Sequence, residues 1–343
     1  MSTLQIGLAV AGGVVLAAVV AHGAWTSRKN LPRQAQPEVA GPDGAGAEGP
    51  ASLLEPKFDT SRFELGAPDK KPTLDALIDV IAPLALDGPC SGDAALAAMP
   101  GTRRVGSKPF AIEGLNAATD QWEVPELGQR YSAFQAGVQL ANRSGALNDI
   151  EYSEFVIKTQ AFADAVSATP EFPEMRDEVA RARELDHFAG DHDGQLGFTL
   201  RAVNSAWSPG FVTQNASRLG FVAGALPGRM VMPASAPGLP PVLVLGFDAQ
   251  AAMAEDPAQS AIREVTLSLD VPQVDRSESP FVRMREAAKG LALAMDGVVT
   301  DDNGQPLASD AMDLIGSELE NLYDTLDAHE LSAGSVLARR LFS

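Results

Sequence analysis

The first twenty-seven residues contain no Asp, Glu, Lys or Arg, and no other feature constrains the chain as strongly. Residues 4–25 are almost entirely Ala, Val, Leu, Ile and Gly, with Gln5 and His22 as the strongly polar members. As a helix, this run is long enough to cross a hydrocarbon core of about 30 Å, which takes about 20 residues. A core helix of a globular domain is the other way to bury such a run. That alternative is disfavoured because the run starts at residue 4 and ends at the basic residues Arg28, Lys29 and Arg33. Basic residues stay on the cytoplasmic side of a span. The flanks therefore predict an uncleaved single-pass anchor over residues 1–27, with the N-terminus facing out and everything beyond residue 28 cytoplasmic. A cleaved secretory signal would carry its basic residues before a shorter apolar core. Trp25 and His22 fall at the expected membrane–water boundary.

The residues after Ser27 hold all 26 Lys+Arg and all 45 Asp+Glu, a net charge of −19. Nucleic-acid binding needs clustered Lys and Arg to neutralise phosphates, so this balance argues against it. The short Arg28–Lys29–Arg33 cluster could meet anionic lipid, weakly. One cysteine, Cys90, leaves no intrachain disulfide and no cysteine-rich metal site, and reads as a small buried hydrophobe. At 45% apolar residues, the chain has enough material for real cores.

Residues 28–70 read as a Pro/Ala/Gly-rich linker that buries too little apolar surface to order itself. Its Gly44-Ala45-Gly46-Ala47-Glu48-Gly49 stretch matches GxGxxG in letters alone, because neither a strand before it nor a helix after it is present. Two α+β units are expected to follow. In the first, over 71–193, strands are predicted at 74–86, 110–115 and 131–143, with a short helix at 91–99. A helix at 151–167 would face its core with Phe155, Ile157, Phe162 and Val166, and a charged helix covers 174–187.

In the second unit, residues 194–330, a strand at 196–203 alternates Phe198, Leu200 and Ala202 with Thr199 and Arg201. Ser208-Pro209 opens a helix that Gly220 stops. Strands follow at 229–232, 242–247 and 264–271. Ser279-Pro280 opens a helix ended by Gly297, a hairpin turns at Asp302-Asn303-Gly304, and Ser309 caps a last helix. Residues 331–343 read as a tail. Sheet strands drawn from separated segments give an antiparallel split-βαβ architecture with helices on one face. Ser153-Glu154-Phe155-Val156 parallels Ser279-Pro280-Phe281-Val282, so the first unit reads as a possible divergent copy of the second.

Two parts of the chain resemble the ZipA family, which anchors the tubulin-like division protein FtsZ to the bacterial inner membrane. His22-Gly23-Ala24-Trp25-Thr26-Ser27-Arg28-Lys29 is similar to that family's membrane exit. The element order of 194–330 is similar to its C-terminal domain, with Gly220-Phe221-Val222-Ala223-Gly224, Phe281-Val282-Arg283-Met284 and Asp296-Gly297-Val298-Val299-Thr300-Asp301-Asp302 as the matching points. The resemblance implies a bitopic inner-membrane adaptor at the division site, N-terminus periplasmic, whose C-terminal domain binds the FtsZ tail in a shallow apolar groove on its open sheet face. It implies no cofactor and no small-molecule substrate.

No enzyme motif assembles: GxSxG, a Walker loop, HExxH and a Cys-His cluster are all missing from the sequence. The Asp191-His192-Asp193 stretch fails the spacing of a calcium loop at Ala189 and Leu200 and reads as a solvated helix end. Partner binding is therefore expected on the open face, through Thr199, Arg201, Met230, Met232, Thr266 and Ser268. The two methionines could instead fill the core, and Arg201 could be a solvated strand charge. Thr266 and Ser268 stand where the family has larger apolar groups, which leaves a different cytoplasmic partner as the alternative.

Overall fold

A computed structural model describes residues 32–35, 74–301 and 304–343. The 1–27 run and most of the 28–70 linker lie outside the described residues, and among those described no helix is long and apolar enough to cross a membrane. The chain is α+β, with antiparallel sheets throughout. It divides into two compact units. One comprises 74–192 with 340–343, and the other comprises 193–339 with 32–35.

The N-terminal unit runs β1 (Asp79–Ser91), α1 (Gly92–Ala98), β2 (Arg104–Val105), β3 (Lys108–Asn116), β4 (Trp122–Glu123) and β5 (Arg130–Gln139). A small ribbon, β6 (Ala141–Asn142) and β7 (Gly145–Ala146), precedes α2 (Asp149–Val166), β8 (Ala168–Pro170) and α3 (Met175–His192). The sheet order is β2-β3-β5-β1-β8, with β4 also on β3. Alternation along β1 buries Val80, Ala82 and Leu84. They join Phe110, Phe134, Phe155 and Phe162 in one core, where Phe134 and Phe162 meet edge to face with centroids 5.2 Å apart. Asn148 and Glu151 form a capping box that starts α2 two residues before the expected boundary. Its inward stripe is Tyr152, Phe155, Thr159, Phe162 and Val166, a strict three-four spacing that excludes Ile157. That residue points outward at 68% exposure and is a correction to the predicted stripe. Beneath the sheet, buried Asp79 sits 2.6 Å from Arg340 Nη2. Burial pushes its carboxyl pKa up, and Arg340 opposes that shift.

The C-terminal unit runs β9 (Gln195–Ala202), α4 (Pro209–Arg218), β10 (Val222–Ala223), β11 (Arg229–Met232), β12 (Leu243–Gly246), α5 (Ala249–Ala252), β13 (Glu264–Asp270), α6 (Pro280–Met295), β14 (Gly297–Thr300) and α7 (Ser309–Ala328). Its sheet order is β10-β11-β12-β13-β9-β14. As expected, Ser208 Oγ accepts from the Phe211 N–H, and Gly220 follows with φ +90°.

Three local signals resolve differently from the sequence reading. Asp296, not Gly297, takes the left-handed stop after α6, at φ 55°. Gly297 begins a strand, where an added Cβ would lie 2.9 Å from Leu200 Cδ1. Ser309 lies inside α7, whose N-cap is Ala308 without a side-chain bond. Residues 331–343 are folded, with Leu331, Ala333, Leu341 and Phe342 buried and α8 over Val336–Leu341.

Residues 32–35, read as spacer, pair with this unit. Arg33 N–H donates to Ala206 O at 2.7 Å, and Ser208 N–H donates to Arg33 O at 2.9 Å. The Arg33 guanidinium reaches Asp296 at 2.8 Å and the Met295 carbonyl at 3.3 Å. Trp207 Nε1 donates to the same carbonyl at 2.7 Å. Arg33 is thus a partner of a helix end.

Candidate functional site: the open face of the C-terminal sheet

In an antiparallel sheet, directly opposed residues share a face, so the register fixes what each face carries. One face holds Met230 with Leu245, Met232 with Leu243, Leu267 with Phe198, and Val265 with Leu200. All of these are buried, and α6 backs this face, its Phe281 ring edge-on to Phe198 at 6.4 Å.

The opposite face carries three rows. The first runs Val222, Val231, Val244, Ser268, Gly197 across five strands. The second runs Arg229, Gly246, Thr266, Thr199, Thr300. The third runs Glu264, Arg201, Val298. Valines therefore cluster at the β10–β12 end, hydroxyls occupy the centre, and an Arg201–Glu264 ion pair of 3.2 Å closes the β9 end. Gly197 and Gly246 carry no side chains, and the space above Gly246 is open. The floor is consequently shallow. Past β14, Leu307 N–H bonds Val299 O at 3.0 Å, and Gly304 lies so close to Arg201 that an added Cβ would meet its Nη1 at 2.6 Å.

Four of the expected residues, Thr199, Arg201, Thr266 and Ser268, lie together on this face. Met230 and Met232 do not. At 3% and 6% exposure they are core residues. They share a face, as expected, but it is the helix-backed one. Because Val231 between them is also apolar, alternation along β11 alone does not reveal the phase, and only pairing with β12 does. The same ambiguity hid Val231, Val244 and Val222, the last 51% exposed.

Chemically, the valine row can take apolar side chains, the hydroxyls can hydrogen-bond a backbone or polar group, and Arg201 can meet a carboxylate. Among the described residues no group of three His, Cys, Asp or Glu could hold a metal ion. Exposed His187 lies 3.8 Å from Asp191, one helical turn further along α3.

The C-terminal unit thus defines a class: an antiparallel sheet with helices on one face and an open face on the other. Residues 252–318, from α5 into α7, match the family model of the ZipA C-terminal FtsZ-binding domain. The C-terminal unit is thus similar, over these residues, to that FtsZ-binding domain. No curated protein matches the chain.

Proposed function

We propose that the chain is a non-enzymatic, membrane-tethered adaptor. Its C-terminal unit binds the C-terminal tail of FtsZ across the open face and ties the division ring to the inner membrane. The observation that carries this reading is the match over residues 252–318 to a binding domain of that specificity. The open face supports it, since Val222, Val231 and Val244 form an apolar row at one end and Arg201 stands at the other, which suits an acidic, partly apolar tail.

The membrane tether and the periplasmic N-terminus rest on the uncharged 1–27 run and the basic residues behind it. A periplasmic reporter fused at residue 60 should stay inactive and a cytoplasmic one active; export of the fusion would overturn the topology. Arg33 lies six residues beyond Ser27, so the chain between them spans at most about 20 Å when extended. With Arg33 held by the C-terminal unit, that unit sits close to the bilayer, and residues 36–73 serve as the connection to the N-terminal unit. The shared strand order supports reading that unit as a divergent copy.

A second reading, an interaction module for a different cytoplasmic partner, is favoured by Thr199, Thr266 and Ser268 on the face. Titration of the full chain in nanodiscs with an FtsZ tail peptide separates the two. Saturable binding that Val244→Lys weakens by about tenfold supports the FtsZ reading. No binding by a folded wild-type chain favours the alternative.

A further inference from the structure

The N-terminal unit holds a site that the adaptor reading does not use. A cavity of about 440 Å³ is lined by Leu96, Met99, Arg103, Ala111, Ile112 and Val124, among others. Its position relative to the sheet is informative. The outer edge of β3 is paired at one end by β2, through Arg104–Pro109 and Val105–Lys108. At the other end it is paired by β4, through Gly114–Glu123 and Leu115–Trp122. Between them, Ala111, Ile112 and Glu113 have no strand on that side among the described residues, and the cavity lies along this gap.

The backbone phase is also set. Phe110 N–H points outward, donating to Arg103 O at 3.0 Å. Alternation then turns the N–H and C=O of Ile112 to the same outer side. The lining is mostly apolar, with Leu96 and Met99 from α1 and its exit together with Leu74 and Ala111, and it also includes Thr102 and Arg340, whose guanidinium is held by Asp79. Val124, 42% exposed, stands at the rim. So does exposed Arg103, which makes no ion pair among the described residues. Arg103 thus sets one uncompensated positive charge at the rim of a chain of net charge −19.

We propose that the outer edge of β3 is a strand-addition site for a short extended segment of a partner protein, apolar at alternate positions and acidic at its ends. Such a segment would bond its backbone to Ile112, place alternate side chains against the mostly apolar lining, and set a carboxylate beside Arg103. The gap admits about three to four residues at the usual strand rise. This inference is independent of FtsZ binding by the C-terminal unit, because no residue of the open face takes part.

The test uses the full chain in nanodiscs and a fluorescent probe, acetyl-Asp-Val-Leu-Val-Asp-amide, read by anisotropy. Three controls accompany it: the same peptide N-methylated at the leucine amide, a version with Lys in place of both Asp, and the protein variants Arg103→Glu and Val124→Lys. The N-methyl group removes one strand hydrogen bond without touching the protein, so a folding defect cannot imitate its effect. The expected result is saturable binding of the acidic probe, weakened about tenfold or more by N-methylation and by each variant, with the Lys probe the weaker ligand. Equal binding of the methylated probe, or no binding of the acidic one, overturns the proposal.

Discussion

The two sheets share an arrangement and differ in what they leave uncovered. In both, the first strand of the unit, β1 or β9, lies one place from an edge, flanked by the strand after the long helix (β8 or β14) on that edge and by β5 or β13 on the other side. The order β2-β3-β5-β1-β8 superimposes in sequence logic on β11-β12-β13-β9-β14. The difference lies at the second strand of each order, β3 or β12. β12 is covered along its outer edge by four consecutive pairs to β11, and β11 is followed by β10. β3 has only two residue pairs at each end and a gap between. The C-terminal sheet therefore offers a face, whereas the N-terminal sheet offers an edge. Faces recognise side chains, and edges recognise backbone first and side chains second. The two proposed sites give this one topology two modes of peptide recognition, separated by how far one short strand extends.

This comparison can be broken unit by unit, because Trp122 reports the N-terminal unit and Trp207 the C-terminal one. The largest effect is expected from Arg340→Met. It strands Asp79, whose side chain is fully buried, without its cation, and should destabilise the N-terminal unit by about 3–5 kcal/mol. Its pH dependence has a defined sign. Burial raises the Asp79 pKa above its unfolded value, and removal of Arg340 raises it further. The folded state then holds a proton that the unfolded state has lost, so stability falls as pH rises from the unfolded carboxylate value through the folded one. Denaturant melts followed at Trp122 should recover stability toward acid, while the Trp207 transition stays in place. A Trp122 midpoint as in wild type at neutral pH would show that the pair is not structural.

Gly297→Val is expected to come next. Its added atoms must enter the space beside Leu200 and the Arg201 carbonyl, at a cost of about 1–3 kcal/mol, visible in the Trp207 transition alone. A smaller effect is expected from Arg201→Glu. Side-chain exposure of 42% and the partner Glu264 already dilute its charge, so tail affinity should drop only several-fold, with a weaker dependence on salt. Unchanged affinity and salt slope would remove Arg201 from the binding face.

Much of this organisation was legible in the sequence, for identifiable reasons. The Ser208-Pro209 start, the alternation of Phe198 and Leu200, and the strand at 229–232 are local signals with one reading each. Where a signal allowed two readings, the sequence misled. Residues 230–232 are apolar at every position, so the inward face of β11 was decided by its pairing with β12. Gly297 looked like a helix stop because Gly is the common residue there, yet Asp296 adopts the left-handed conformation instead. Phe155 was correctly placed inward, but the Ser153-Glu154-Phe155-Val156 stretch lies one turn inside α2 rather than at its start. Neither the docking of Arg33 on Ala206 and Asp296 nor the gap beside Ile112 has a sequence signature, since each depends on residues far apart in the chain.

The account rests on the open face of the C-terminal sheet as the seat of the FtsZ tail. Valine-methyl spectra of the full chain in nanodiscs, recorded while the tail peptide is added, test this directly. The account predicts that the Val231 and Val244 methyls shift and saturate together while Val124 stays still. A shift at Val124 with Val231 and Val244 unmoved would contradict it and transfer the FtsZ site to the edge of β3.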